Sequence, residues 1–225
     1  MRLIVVRHYK THINLEQRIM GWGDSPPAAG WEADLLEVDQ RLAKAGIDIA
    51  EVHTSNLERA RRTGEFYARR RNIPVQCASE ALNEVNYGAL FQRSKKWVEE
   101  HIPEYKTDPD YVFPQGESFR QMQRRSVAHV QALAERHDDQ TLLLVVHAGV
   151  VRGLICHYLH LPYAPHLARR VSHRYIGVFE FTDGHCRHYS EMGSHSDFIA
   201  DGIIRSPHHC APPTIPGGTP ATTAI

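Results

Sequence analysis

The sequence predicts a layered α/β sandwich on a mostly parallel central sheet, and three observations carry that prediction. Two short apolar runs, Leu3-Ile4-Val5-Val6 and Leu142-Leu143-Leu144-Val145-Val146, are continuous and partly β-branched, the pattern of strands buried on both faces of a parallel sheet. Helical periodicity fills the intervals between the strand candidates. Strands that alternate with helices pack as a sheet covered by helices.

In chain order, the first strand is Leu3 to Val6 and the first helix Trp31 to Lys44. Ala50 to Thr54 is a weaker strand, followed by a helix over Leu57 to Arg71 with Ser55 as a plausible N-cap. Ile102 to Gln115 carries Pro103, Pro109 and Pro114 and reads as a long loop, part of a lid or loop insertion over about 85–117. A long helix over Ser118 to His137 places Phe119, Met122, Ser126, Val130 and Leu133 at helical spacing. The second apolar run leads directly into a helix over Val150 to Leu159. Gly177 to Phe181 and His185 to Tyr189 flank Asp183-Gly184 as a late hairpin. These elements make one domain over residues 1–200, without internal repeats. The stretch 206–225 has five prolines and no charged side chain, so a disordered tail is expected there.

Composition excludes several classes. Lys plus Arg and Asp plus Glu both number 26, so no global field draws in nucleic acid or an acidic membrane. Four cysteines without C-x-x-C spacing are too sparse for a disulfide scaffold and read as reduced thiols. Only four consecutive apolar residues precede Arg7, too few for a signal peptide or a membrane span. A cytoplasmic protein without nucleic-acid or membrane partners is expected.

Each strong apolar run ends in a histidine, as Val6-Arg7-His8 and Val146-His147. Ligands of open parallel sheets bind beyond the carboxyl ends of the strands, so the two histidines can face one ligand if their strands are neighbours. Among 16 histidines one such placement means little; two, one of them preceded by arginine, mean more. Arg59 arrives in the first turn of the helix after the weaker strand, near the same edge. Its planar fork suits paired phosphate oxygens, and two arginines with two imidazoles describe a phosphate dianion site. His157-x-x-His160, His185-Cys186-x-His188 and His208-His209-Cys210 complete no zinc pattern, and no metal ligand is assigned.

These motifs resemble the histidine phosphatase superfamily, also called the phosphoglycerate mutase-like family. Arg7-His8 is similar to its Arg-His-Gly signature, with Thr11 and Asn14 continuing it. Arg18, Gly21-Trp22, Asp24-Ser25-Pro26 and Gly30 resemble the stretch downstream. Ser55-x-Leu57-x-Arg59-Ala60-x-x-Thr63, Leu82 to Gly88, Gly116-Glu117-Ser118 and His147 to Arg152 resemble the later signatures, and the likeness runs from Met1 to about Phe198. The resemblance implies a three-layer α/β/α sandwich and metal-free, cofactor-free chemistry on a small phosphorylated metabolite, with a homodimer as the family-level expectation. It assigns His8 as the nucleophile, Arg7, Arg59 and His147 as charge-neutralising groups, and Glu84 as the proton donor to the leaving oxygen. Asn14, Lys10, Gly21, Tyr87 and Ala148 are the implied substrate contacts.

Two departures qualify the resemblance. Tyr9 and Lys10 stand where the family has glycine and glutamate. Either the Tyr9 ring packs aside, or it narrows the pocket mouth beside a Lys10 that favours a second anionic group. Residues 96–115 also lack the arginine pair with which the mutases grip a carboxylate. The expected function is therefore hydrolysis of a phosphomonoester, with a 2,3-bisphosphoglycerate-dependent mutase as the rival and a catalytically weak phospholigand-binding regulator as the third reading.

Overall fold

The computed structural model describes residues 1–193 and 195–200. Strands β1 (Arg2–Arg7), β2 (Glu51–Ser55), β3 (Val75–Ser79), β4 (Thr141–Val146), β5 (Ile176–Thr182) and β6 (His185–Glu191) form one sheet in the order β3-β2-β4-β1-β5-β6. β1 to β4 run parallel, while β5 is antiparallel to both β1 and β6.

Strand alternation explains the two continuous apolar runs. Leu3 and Val5 of β1 join Leu142, Leu144 and Val146 of β4 in one core, whereas Ile4 and Val6 join Leu143 and Val145 in the other. Every one of these side chains is at most 1% exposed, so neither face of the strand tolerates a polar residue. The second core is covered by α2 (Trp31–Lys44) and α3 (Glu58–Arg71), with Leu35, Val38 and Leu42 of α2 one turn apart on its inner stripe. The first core is covered by α5 (Phe119–Ala134) and α6 (Ala148–Tyr158). Helices on both sides of the sheet complete three layers.

Local signals account for the boundaries. Ser118 caps α5 in a reciprocal box with Gln121, and that helix ends at Ala134, three residues short of the sequence reading. Asp183 (φ 50°) and Gly184 (φ 71°) both occupy the left-handed region, as a two-residue hairpin turn requires. Four elements go beyond the sequence reading. β3 is a polar edge strand whose Val75 is 40% exposed, so it carries no apolar run. α1 (His12–Leu15) is a single capped turn. α4 (Lys95–His101) begins within the expected lid, capped by Ser94, and α7 (Asp197–Ala200) closes the described chain. The expected tail, 206–225, lies outside the described residues. No helix among the described residues is long and apolar enough to cross a membrane.

Candidate active site

β1 and β4 are adjacent and parallel, with Arg7 opposite Val146. The residues that follow them therefore emerge side by side: the His8 amide donates to the Val146 carbonyl (3.0 Å), and the His8 and His147 ring centroids lie 5.0 Å apart. The condition that the sequence left open, neighbouring strands, is met.

The hydrogen bonds of His8 fix its tautomer. Nδ1 lies 2.6 Å from the Tyr9 carbonyl oxygen, which can only accept, so Nδ1 carries the proton and Nε2 keeps its lone pair. Burial, then Arg59, His147, Arg7 and His173, hold the His8 pKa well below 6.5, so the ring is neutral. His173 braces this turn, its Nδ1–H donating to the His8 carbonyl (2.8 Å). The Tyr9 amide donates to Thr63 Oγ1 (3.0 Å), and the Thr63 hydroxyl donates to the Arg59 carbonyl (2.7 Å).

Arg59, 1% exposed, spends Nη1 on the Gly23 carbonyl (2.9 Å) and Nη2 on the Gly21 carbonyl (2.6 Å). Gly21 presents that carbonyl from the left-handed region (φ 54°), which favours glycine. Arg7 donates through Nη1 to the Val171 carbonyl (2.6 Å). Ser55 proves to be a partner of His147 (2.7 Å) and not the cap of α3. It is the last residue of β2, two positions ahead of the Leu57 cap. Its oxygen accepts the Leu57 amide (3.3 Å), and the hydroxyl shares a hydrogen bond with His147 Nε2.

Arg7 Nε, Arg59 Nε, Arg152 Nε and His147 Nδ1 are buried without a partner. Each unpaired guanidinium N–H costs roughly 1–3 kcal/mol; the three arginines line one cavity, a place suited to an anion. Burial foremost, with neighbouring arginines adding to it for Arg7, pushes Arg7 down to about 9 and Arg59 to about 10. A guanidinium is hard to deprotonate, so that cost stands as positive potential over the cavity.

The cavity, about 230 Å³, is lined by eight of the ten expected residues: Arg7, His8, Asn14, Gly21, Arg59, Glu84, Tyr87 and Ala148. His147, fully buried, lies behind His8. Lys10 does not line it: the Ala28 amide donates to the Lys10 carbonyl (2.8 Å), and the chain turns away there. The Tyr9 ring packs aside, 4.8 Å from the Trp31 ring in the core beneath α2 and α3, and does not narrow the mouth. Asn14 accepts the Thr11 amide through Oδ1 (3.2 Å), which leaves its amide hydrogens to donate.

Glu84 is anchored at both oxygens, by the Val85 amide (3.0 Å) and the Gly149 amide (3.1 Å). A methyl group at Gly149 would overlap Glu84 Oε1. Gly149→Ala is therefore expected to displace the carboxylate and lower turnover by about 10²-fold, the scale of an ångström-sized misplacement, with the fold retained; steady-state kinetics and circular dichroism check both halves.

Sequence reasoning missed Ser55 as a partner of His147, and also Gly149, Arg152, His173 and the segment 168–171. Arg152 stood inside the quoted His147 motif and could have been found. The stretch before β5 has no periodicity and gave no signal for the rest. Arginines absent from residues 96–115 arrive from α6 and from 168–171, so that eight basic side chains line the cavity against one carboxylate, Glu84. Of the histidine clusters in the sequence, His157-x-x-His160 and His185-Cys186-x-His188 do not line this cavity, and His208-His209-Cys210 lies outside the described residues. Glu51, His53 and His137 bring three ligand atoms within 4.8 Å of one another, but at the amino-terminal end of β2, away from the site.

Two buried neutral histidines, His8 and His147, and the half-buried His173 make stability depend on pH. Burial foremost depresses the pKa values of His8, His147 and His173 well below 6.5. Below pH 6.5 the unfolded chain therefore takes up protons that the folded chain refuses, and stability is lost as pH falls. Each histidine contributes up to about 1.4 kcal/mol per pH unit. Urea midpoints are expected to drop between pH 7.5 and pH 5.0, and an unchanged midpoint would show these rings to be already charged.

Comparison with known proteins places this geometry. The family model of the histidine phosphatase superfamily (branch 1) matches residues 3–190. A Klebsiella pneumoniae protein named probable phosphoglycerate mutase GpmB is 32% identical over 167 residues, covering 72% of this chain and 76% of its own. Among solved structures, Bacillus stearothermophilus YhfR superposes with a TM-score of 0.74 at 27% identity, over 82% of this chain and 93% of its own. A putative alpha-ribazole-5'-P phosphatase from Escherichia coli gives 0.74 at 24% identity, over 87% and 97%. The chain belongs to branch 1 of the histidine phosphatase superfamily.

Proposed function

We propose that this chain is a phosphomonoesterase that hydrolyses a small phosphorylated metabolite through a phosphohistidine on His8. The observation that carries the reading is the His8 ring, neutral and held by Nδ1 so that Nε2 keeps its lone pair, in a cavity lined by three arginines whose buried Nε groups have no partner.

In this reading His8 Nε2 attacks phosphorus, the bond from phosphorus to the leaving oxygen breaks, and Glu84 gives that oxygen its proton. Arg7, Arg59 and His147, with the Asn14 amide, receive the charge that spreads over the equatorial oxygens. A water then attacks the phosphohistidine, Glu84 takes back a proton, and the phosphorus–nitrogen bond breaks to release phosphate and restore neutral His8. A cavity of about 230 Å³ lies below the roughly 300–1,000 Å³ of drug-sized sites and suits a small substrate.

The rival, a phosphoglycerate mutase, draws support from the name of the Klebsiella relative and from the many cations. A mutase must retain its intermediate. Here residues 96–115 offer the cavity Tyr105 and Lys106, and Lys106 is already paired with Glu99 (2.8 Å). Incubation with 2- or 3-phosphoglycerate is expected to release inorganic phosphate, insensitive to chelator because arginines and histidine supply the charge a metal would otherwise bring. Rapid interconversion of the two isomers without net release would establish the mutase instead.

A further inference from the structure

At the end of the sheet opposite the cavity, Glu51, His53 and His137 each bring one ligand atom within 4.8 Å of the other two. Glu51 and His53 stand two residues apart at the start of β2, so they project from the same face of the strand. Ser55, the next residue on that face, meets His147 at the far end. The length of β2 therefore separates this group from the phosphoryl cavity. His137 comes from the turn that joins α5 to β4, the strand paired with β2.

Packing does not account for His53. It is 4% exposed, its Nε2 lies 3.1 Å from Glu51 Oε2, and its Nδ1 is buried without a partner. A ring carried inside with one nitrogen unpaired lowers stability, where an apolar side chain would not. His137 is already oriented as a ligand. Its Nδ1 lies 2.8 Å from Gln140 Oε1, an oxygen that only accepts, so Nδ1 carries the proton and Nε2 keeps its lone pair. A metal-bound imidazole is held in the same way, with its second nitrogen donating to a fixed acceptor. The Glu51 carboxylate has no lysine or arginine as an ion-pair partner among the described residues.

We infer that Glu51, His53 and His137 bind a first-row divalent cation of the zinc class, which ties the α5–β4 turn to the sheet and takes no part in phosphoryl chemistry. Two imidazoles and a carboxylate suit zinc, whereas magnesium and calcium favour oxygen ligands alone. Tetrahedral bonds of about 2.0–2.2 Å place ligand atoms roughly 3.4 Å apart. Glu51 and His53 already stand near that spacing at 3.1 Å. His137, on its turn, has at most about 1.5 Å to close from the 4.8 Å limit. Glu51 and His137 are half-buried, so the ion has a way in and water can take the fourth position. Arg136 of the same turn opposes a cation. It is exposed, however, its Nε bonds the Ala132 carbonyl (2.8 Å), and Asp138 and Asp139 of that turn offset its charge.

The test uses the full chain, stripped of metal and titrated with zinc ion in competition with a chromophoric chelator. Gln140→Ala removes only the acceptor of His137 Nδ1 and is expected to weaken one zinc by about 10- to 100-fold, the usual effect of losing such a partner. Glu51→Gln and His137→Ala remove ligands and should weaken it at least as much. His185→Ala alters an exposed histidine of another cluster and should bind zinc as the wild type does. Zinc at 100 times its Kd should raise the melting temperature of the wild type by about 5–10 °C. The rise should vanish in His137→Ala, and magnesium should produce none. Cobalt(II) in place of zinc should give the visible absorption of a four-coordinate ion in the wild type and lose it in Glu51→Gln. Equal zinc affinity in the wild type and in all three site variants would mark the ion as adventitious and overturn the site. A melting shift that persists in His137→Ala would overturn it as well. None of these measurements needs turnover, so they decide the site whatever becomes of the phosphomonoesterase reading.

Discussion

Replacing His8 with alanine is expected to abolish turnover, a loss on the order of 10⁵- to 10⁶-fold, the scale seen when a covalent nucleophile is removed. The size follows from the surroundings. His147, the nearest other imidazole, has Nε2 committed to Ser55 and, fully buried behind His8, is not among the residues lining the cavity. His173 spends Nδ1 on the His8 carbonyl and is not among the residues lining the cavity. Rapid quenching with labelled substrate should trap acid-labile phosphate on the wild-type chain and none on the variant. Phosphate binding itself should survive, because Arg7 and Arg59 are held by backbone carbonyls and not by His8. Near-normal turnover in the variant would sink the phosphohistidine route.

Replacing Glu84 with glutamine is the second large effect, roughly 10²- to 10⁴-fold on alkyl phosphates, the usual contribution of a general acid. The substitution keeps the shape and one carbonyl oxygen, so either the Val85 or the Gly149 amide can still be satisfied. What it removes is the transferable proton. The loss should therefore shrink on nitrophenyl phosphate, whose leaving group departs without help, and a plot of rate against leaving-group pKa should steepen. An equal loss on both substrates would mean that the carboxylate positions the ligand and donates nothing.

Legibility in the sequence tracked burial on two faces. The runs in β1 and β4 were readable because both flanks are core, and the two histidines inherited that clarity by following them directly. Arg59 was readable from its place in the first turn of a helix. β3 was not, since an edge strand with polar residues leaves no periodic trace. The second role of Ser55 was hidden as well: a serine before a helix reads as a cap, and only the pairing of β2 with β4 brings it to His147. Lys10 misled in the opposite sense. Its place next to the nucleophile suggested the pocket, but one backbone pairing with Ala28 carries it elsewhere. The cations of 168–171 come from irregular chain, where neither period nor turn chemistry announces a site.

Thr63 gives the site a property that no lining residue supplies. It receives the amide of Tyr9, the residue whose carbonyl orients His8, and it hands its own hydrogen to the carbonyl of Arg59. The turn after β1 and the first turn of α3 are thus bolted to a common post. The spacing between the His8 ring and the Arg59 guanidinium is set when the chain folds, before any ligand arrives. Little reorganisation is left for the encounter with substrate, so binding energy can go into the reaction and not into assembling its machinery.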